Sequence, residues 1–232
     1  MVNKKRRENP VEANKAVTIE ADSVRLEGSL SVPQGVQGVV IFVHGSGSGQ
    51  QSARNRYVAG EMQAAGLATL LFDLLTPEEE ELDLHTRHLR FDISMLARRT
   101  IAAVDWVLEQ SFARNLKVGL FGVSTGAAAA LIAAAERPNF VGAVVSRGGR
   151  PDLAANAPTR VQSPTLLIVG SLDYPVIELN EQALARLNPQ PMKEMSIVPG
   201  ATHLFEEQDA MEKVTHLAID WFQRFLPPSW QE

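Results

Sequence analysis

Nine residues constrain this chain more than any others: Val118-Gly119-Leu120-Phe121-Gly122-Val123-Ser124-Thr125-Gly126, followed at once by the alanine run 127–130. An apolar strand leads into Gly-x-Ser-x-Gly and then into a strong helix former, which is the sequence form of a nucleophile elbow. Ser124 would stand on a tight strand-to-helix turn, in a strained backbone conformation costly for a residue with a Cβ. Gly122 and Gly126 remove side chains that would collide across that turn. Ala127 to Ala130 and Ala133 to Ala135 supply helix propensity and small volume, so the helix can lie close to the sheet.

Two features downstream extend the elbow toward a triad, whose partners in this arrangement follow the serine in the order acid, then histidine. Thr165 to Val169 reads as a buried strand, and Gly170-Ser171-Leu172-Asp173 puts a carboxylate just past its end. Glu194 to Val198 reads as the next strand, and Pro199-Gly200-Ala201-Thr202-His203 puts a histidine on the loop after it. His203 is expected to take the Ser124 proton, with Asp173 holding the ring tautomer and stabilising the imidazolium. Upstream, the apolar strand Val39 to Val43 ends in His44-Gly45-Ser46-Gly47-Ser48-Gly49. A developing alkoxide needs two preorganised N–H donors; the expected pair is the backbone of Thr125 and of Ser46. His44 is expected to brace the loop through its ring nitrogens. The loop lacks the Gly-Lys-Ser/Thr ending and the spacing of nucleotide-binding motifs.

With these motifs, from about Val17 to Leu226, the sequence resembles the α/β-hydrolase superfamily, in its dienelactone-hydrolase-like group. The resemblance rests on His44-Gly45-Ser46-Gly47, Gly122-Val123-Ser124-Thr125-Gly126, Gly170-Ser171-Leu172-Asp173 and Gly200-Ala201-Thr202-His203-Leu204-Phe205. It implies a cofactor-free hydrolase of esters or related acyl compounds. Dienelactone hydrolases proper carry cysteine at the nucleophile position, where this chain has Ser124.

The expected architecture is α/β: a mostly parallel eight-stranded sheet with helices on both faces. Ala16 to Glu20 and Val24 to Val32 read as its first two strands, antiparallel to each other. Residues 1–15 are expected to form a flexible N-terminal segment and residues 16–232 one domain, a length whose 45% hydrophobic content can bury a single large core. A helix with Ile93, Ala97, Ile101, Val104 and Leu108 as its buried face should follow the polar stretch Leu74 to Arg90. A last helix should bury Met211, Val214, Ala218, Trp221 and Phe225 and stop at Pro227-Pro228. Ser146 to Pro164, between the sixth and seventh strands, is too short for a full cap domain, so an open site is expected, walled by the Leu74–Arg90 stretch.

A net charge of −5 argues against nucleic acid or an anionic membrane as partner. Cysteine is absent, which excludes disulfides and thiolate metal sites. With no membrane-spanning run and no signal-peptide core, the expected location is cytoplasmic and the expected partner a small-molecule ester. His85 and His88 match no strong ligand spacing, so no metal is expected.

Four arginines fall near the loops that should carry chemistry: Arg54 and Arg56 after the glycine-rich loop, Arg147 and Arg150 after the sixth strand. Ligands of open parallel sheets bind at the C-terminal strand ends. Arg147, Arg150 and Arg54 are therefore candidate substrate-binding residues, able to fork a carboxylate or phosphate. The competing expectation is structural pairing, of Arg147 or Arg150 with Asp73, Asp92 or Asp152. For the whole chain the leading expectation is a serine hydrolase working through an acyl-enzyme. The alternatives are acyl transfer or thioester cleavage on the same triad, and a catalytically silent protein holding an anionic metabolite.

Overall fold

Strands of five to seven mostly apolar residues set the architecture, because a strand buried on both faces needs no polar alternation. In the computed structural model, which describes residues 11–45 and 49–227, they form the centre of one sheet. The strands are β1 (Val11–Ala21), β2 (Val24–Pro33), β3 (Val39–Val43), β4 (Ala68–Phe72), β5 (Val118–Val123), β6 (Val141–Arg147), β7 (Thr165–Gly170) and β8 (Lys193–Val198). Their spatial order is β1-β2-β4-β3-β5-β6-β7-β8. β1 pairs with β2, and β2 with β4, antiparallel; every pairing from β4 to β8 is parallel. Every residue of β3, β4, β5, β6 and β7 is buried.

Among the described residues there are six α-helices: α1 (Ala53–Ala64), α2 (Pro77–Thr86), α3 (Ile93–Glu109), α4 (Thr125–Glu136), α5 (Tyr174–Arg186) and α6 (Ala210–Phe225). One apolar cluster joins α3 and α4 to the sheet through residues such as Val104, Ala130, Leu120 and Leu167. The other joins α1 and α6 to the opposite face through Met62, Val58, Phe42, Phe121 and Phe222. Phe42 and Phe121 meet with ring centroids 5.1 Å apart. Between β6 and β7 there are only two short 3₁₀ turns, Pro151–Ala154 and Ala157–Arg160, and no cap domain. Among the described residues no helix is long and apolar enough to cross a membrane.

Several elements differ from the sequence reading. β1 starts at Val11, so residues 11–15, expected in the N-terminal segment, pair with β2, from Val11 opposite Pro33 to Lys15 opposite Leu30. Polar side chains are compatible with a strand at a sheet edge, which is why composition hid it. The buried stripe of α3 runs through Leu96, Arg99, Thr100, Ala103 and Val107 beside Val104; Ile93, Ile101 and Leu108 lie at its margin, half-buried. Arg99 sits in the middle of that stripe and disguises its apolar character. The Leu74–Arg90 stretch holds α2, which has a capping box: Thr76 Oγ1 accepts the Glu79 N–H and the Glu79 carboxylate accepts the Thr76 N–H. Phe225 is the last helical residue of α6, where the expected proline stop falls, although Pro228 lies outside the described residues.

Candidate active site

β5 delivers Ser124 at φ 52° and ψ −123°, a conformation a residue with a Cβ adopts only under strain. The neighbouring glycines are demanded by space. A Cβ on Gly122 would lie 2.5 Å from Ala127 Cα, and one on Gly126 would lie 2.1 Å from the Val43 carbonyl oxygen. The turn is thus squeezed between its own helix and the end of β3. Its backbone is tied on both sides to the end of β6 and the loop that follows it. The Ser124 N–H donates to Arg147 O at 3.3 Å, and the Arg150 N–H donates to Ser124 O at 3.0 Å.

Asp173 and His203 come from the loops after β7 and β8. Their atoms Oδ2 and Nδ1 are 2.7 Å apart. A carboxylate can only accept, so Nδ1 carries the proton and Nε2 is left as the basic nitrogen. The Asp173 side chain is 12% exposed and that of His203 is 40% exposed, a sheltered acid behind an accessible ring. The imidazole rests beside the elbow: a Cβ on Gly148 would lie 3.5 Å from His203 Cε1, and Gly148 directly follows the residue that binds Ser124 N–H. Glu207 accepts from both the N–H and the hydroxyl of Thr202, bracing the histidine loop from below.

Thr125 is the first residue of α4, so its N–H has no intrahelical acceptor and stands at the positive end of the helix. A Cβ on Gly45 would lie 3.1 Å from Ser124 Cβ, which brings the glycine-rich loop against the elbow. Ser46, expected to give the second N–H, lies outside the described residues. The residues flanking that gap are pinned to the end of β4. His44 accepts the Leu74 N–H at Nε2, 3.1 Å, so its proton is on Nδ1, which faces Gly45 O at 2.6 Å. Burial pushes the His44 imidazole below its ordinary pKa, against the opposing pull of the Gly45 carbonyl, Asp73 and Glu80. Beyond the gap, Asp73 accepts from Gln50 N and Nε2, both at 2.8 Å. The role of Asp73 was not read from the sequence, although an acid ending a strand beside a glycine loop was a usable signal.

A further brace lies behind this one. Arg99 donates to Leu74 O at 2.7 Å and forks Glu79 at 2.6 and 2.7 Å. α2 is thereby bound to the same residue that holds His44. A small cleft lined by His44, Gly45, Asp73, Leu74, Glu80 and Arg90, with a volume of about 20 Å³, opens beside the elbow. The Leu74–Arg90 stretch contributes its wall.

The candidate arginines separate. Arg150 forks Asp152 at 2.9 and 2.7 Å, and Arg54 pairs with Glu206 at 2.6 Å. Arg147, the last residue of β6 rather than a loop residue, is 5% exposed and has no ion pair among the described residues. Arg56 bonds Gln51. Among the described residues no group of three or more His, Cys, Asp or Glu could hold a metal ion.

A strained serine between a parallel strand and a helix, with an acid and a histidine on the loops after two later strands, defines an α/β-hydrolase. Residues 26–226 match the dienelactone hydrolase family, and the chain belongs to it. It is 57% identical to the crystal structure of a dienelactone hydrolase from Anabaena variabilis, with a TM-score of 0.88 over 92% of this chain and 98% of that one. Est1E from Butyrivibrio proteoclasticus has the same fold at 16% identity, with a TM-score of 0.74 over 90% of this chain and 98% of that one. Two Mycobacterium tuberculosis proteins, each named "putative phosphoribosyl transferase", are 51% identical over 215 residues, 92% of this chain. The chain spans 47%, about half, of the length of these curated relatives.

Proposed function

We propose that this hydrolase is a serine esterase that cleaves a small carboxylic ester through an acyl-enzyme. Ser124 Oγ attacks the carbonyl carbon while its proton passes to His203 Nε2. The tetrahedral oxyanion is held by the N–H groups of Thr125 and Ser46. Collapse breaks the bond to the alkoxide, which leaves with the proton from His203. Water then repeats the sequence and frees the acid. Asp173 keeps the ring in the required tautomer and stabilises the imidazolium. The observation that carries this reading is Ser124 at φ 52° on the elbow, with the His203–Asp173 pair on the adjoining loops. The missing cap supports a short, accessible acyl group rather than a long chain.

The transferase in the name of the longer relatives belongs, on this reading, to the half of those proteins that this chain does not match. The experiment is fluorophosphonate labelling beside a panel of short-chain 4-nitrophenyl esters and acyl thioesters. Wild type should be labelled and should turn over esters, and Ser124→Ala should do neither. An unlabelled wild type, or a fully labelled Ser124→Ala, overturns the serine nucleophile. Faster turnover of thioesters than of esters would move the substrate class.

A further inference from the structure

Thr125 carries a buried hydroxyl that nothing in the fold uses. The residue is 5% exposed, and its Oγ1 has no hydrogen-bond partner among the described residues. The buried hydroxyls of Thr100, Ser163, Thr165 and Thr215 all donate to backbone carbonyls, at 2.7 to 3.0 Å. A hydroxyl taken out of water without a partner is a standing cost to stability, and a valine would fill the same volume without it. The orphan hydroxyl of Ser146 is covered by Gly149, which has no room for a Cβ beside it. That of Thr125 lies elsewhere.

A Cβ on Gly45 would lie 3.1 Å from Ser124 Cβ and 3.4 Å from Thr125 Oγ1, so one point at the start of the glycine-rich loop touches both the nucleophile and the hydroxyl. Oγ1 therefore stands on the flank of the elbow where the oxyanion is expected. The Thr125 N–H opens α4, and the N-cap residue Ser124 makes no side-chain capping bond, so no side chain neutralises that positive helix end. Within one threonine only Cα and Cβ separate Oγ1 from N, so an oxygen that accepts from the N–H is within reach of the O–H. Attack of Ser124 on a carbonyl carbon creates such an acceptor, an oxygen whose charge develops as the new bond forms.

We infer that the Thr125 hydroxyl is a catalytic group: a third donor to the oxyanion, adding its O–H to the N–H groups of Thr125 and Ser46. The inference rests on the serine acyl-enzyme reading for the oxyanion itself, and on the orphan hydroxyl for the third donor. The hydroxyl is unpaired in the ground state and paired in the transition state, so its bond acts on kcat rather than on substrate binding.

The test compares wild type, Thr125→Val and Thr125→Ser, all of which keep the backbone N–H. Turnover of 4-nitrophenyl acetate is measured beside binding of an alkyl trifluoromethyl ketone, which adds to Ser124 as a tetrahedral oxyanion and needs no leaving group. Thr125→Val should lose about ten- to a hundredfold in kcat at a nearly unchanged KM, and should bind the ketone more weakly by a similar factor. Thr125→Ser should keep most of both. In the ketone adduct, followed by nuclear magnetic resonance of a labelled carbonyl carbon, the oxyanion should take up a proton at higher pH in Thr125→Val, because one donor fewer leaves its charge less stabilised. Thr125→Val should melt no lower than wild type, since it removes an unpaired hydroxyl and keeps the volume. A Thr125→Val that turns over ester and binds the ketone as wild type does would overturn the third donor and spare the esterase. So would a loss of activity that follows a lowered melting temperature and is not restored by serine. Hydroxyl-dependent ketone binding by a protein that turns over no ester would uphold the third donor and overturn the ester as substrate. A wild type that forms no ketone adduct would overturn both. If Thr125→Val does not fold, Thr125→Ala against Thr125→Ser supplies the same contrast.

Discussion

Asp173 and His203 meet at 2.7 Å although thirty residues separate them, and the loops that carry them are stitched together on the way. The Leu172 N–H donates to Ala201 O at 2.9 Å, the Ser171 N–H to Val198 O at 3.0 Å, and the Gly200 N–H to Ser171 Oγ at 2.8 Å. The pair is preorganised by backbone, so a change at the carboxylate alone should alter chemistry and not the fold. Asp173→Asn keeps the volume and reverses the hydrogen-bond preference at Nδ1, trapping the wrong tautomer. Its kcat should fall by on the order of a thousandfold or more at an unchanged melting temperature. Near-normal turnover by the folded variant would remove Asp173 from the triad and leave another carboxylate to support His203.

His44 gives a pH prediction for stability. Its folded-state pKa lies below the ordinary value, so between the two the unfolded chain binds the proton more readily. Stability from this group is complete above about pH 6.5 and is lost as the pH falls toward the folded value. Protonation at Nε2 would also expel the Leu74 N–H and free one end of the glycine-rich loop. Asp73 and Glu80 face the ring and oppose the effect of burial without reversing it. His44→Gln removes this titration. The stability advantage of wild type over His44→Gln, from urea unfolding, should shrink from pH 7.5 to pH 5, at a slope of at most about 1.4 kcal/mol per pH unit. A difference that is constant across that range would show that the ring does not titrate with folding.

The sequence disclosed the parts of this site that backbone geometry forces upon residue choice. Gly122 and Gly126 are legible because no other residue fits between Ala127, Val43 and the elbow. Asp173 and His203 are legible because each follows a strand by a few residues, and a parallel sheet gathers its strand ends on one edge. Partnership between charges was not legible. Arg147, Arg150, Asp73, Asp92 and Asp152 could be paired on paper in several ways, and only the fold gives Asp152 to Arg150, Asp73 to Gln50 and Asp92 to the α3 terminus. The Leu74–Arg90 stretch read as polar loop because α2 shows no apolar stripe, although Thr76-Pro77-Glu78-Glu79 spelled its capping box and proline start. Arg99 misled for the opposite reason, since a charge in the centre of a buried stripe moved the inferred face of α3 by part of a turn.

Arg99 is 3% exposed and ties Glu79 of α2 to the Leu74 carbonyl, while the Leu74 N–H holds His44. Its bidentate bond holds the Glu79 carboxyl below the usual carboxylate range. The pair's contribution is therefore present above the ordinary glutamate pKa and fades as the pH falls through the lowered one. Removing one partner of a buried pair leaves the other uncompensated, a loss of about 3 kcal/mol or more. Glu79→Ala should lose roughly that much in urea unfolding at pH 7, together with its capping-box bond to Thr76. Glu79→Gln, which can still accept from Thr76 and from one arm of the fork, should lose less. Arg99→Met, which leaves only a quarter-exposed carboxylate behind, should fall between them. Each variant should also lower kcat on short esters more than it raises KM, because Leu74 anchors the loop expected to hold the oxyanion rather than the substrate. A destabilised Glu79→Ala with unchanged kcat, assayed below its melting transition, would confine this brace to stability and detach it from the loop.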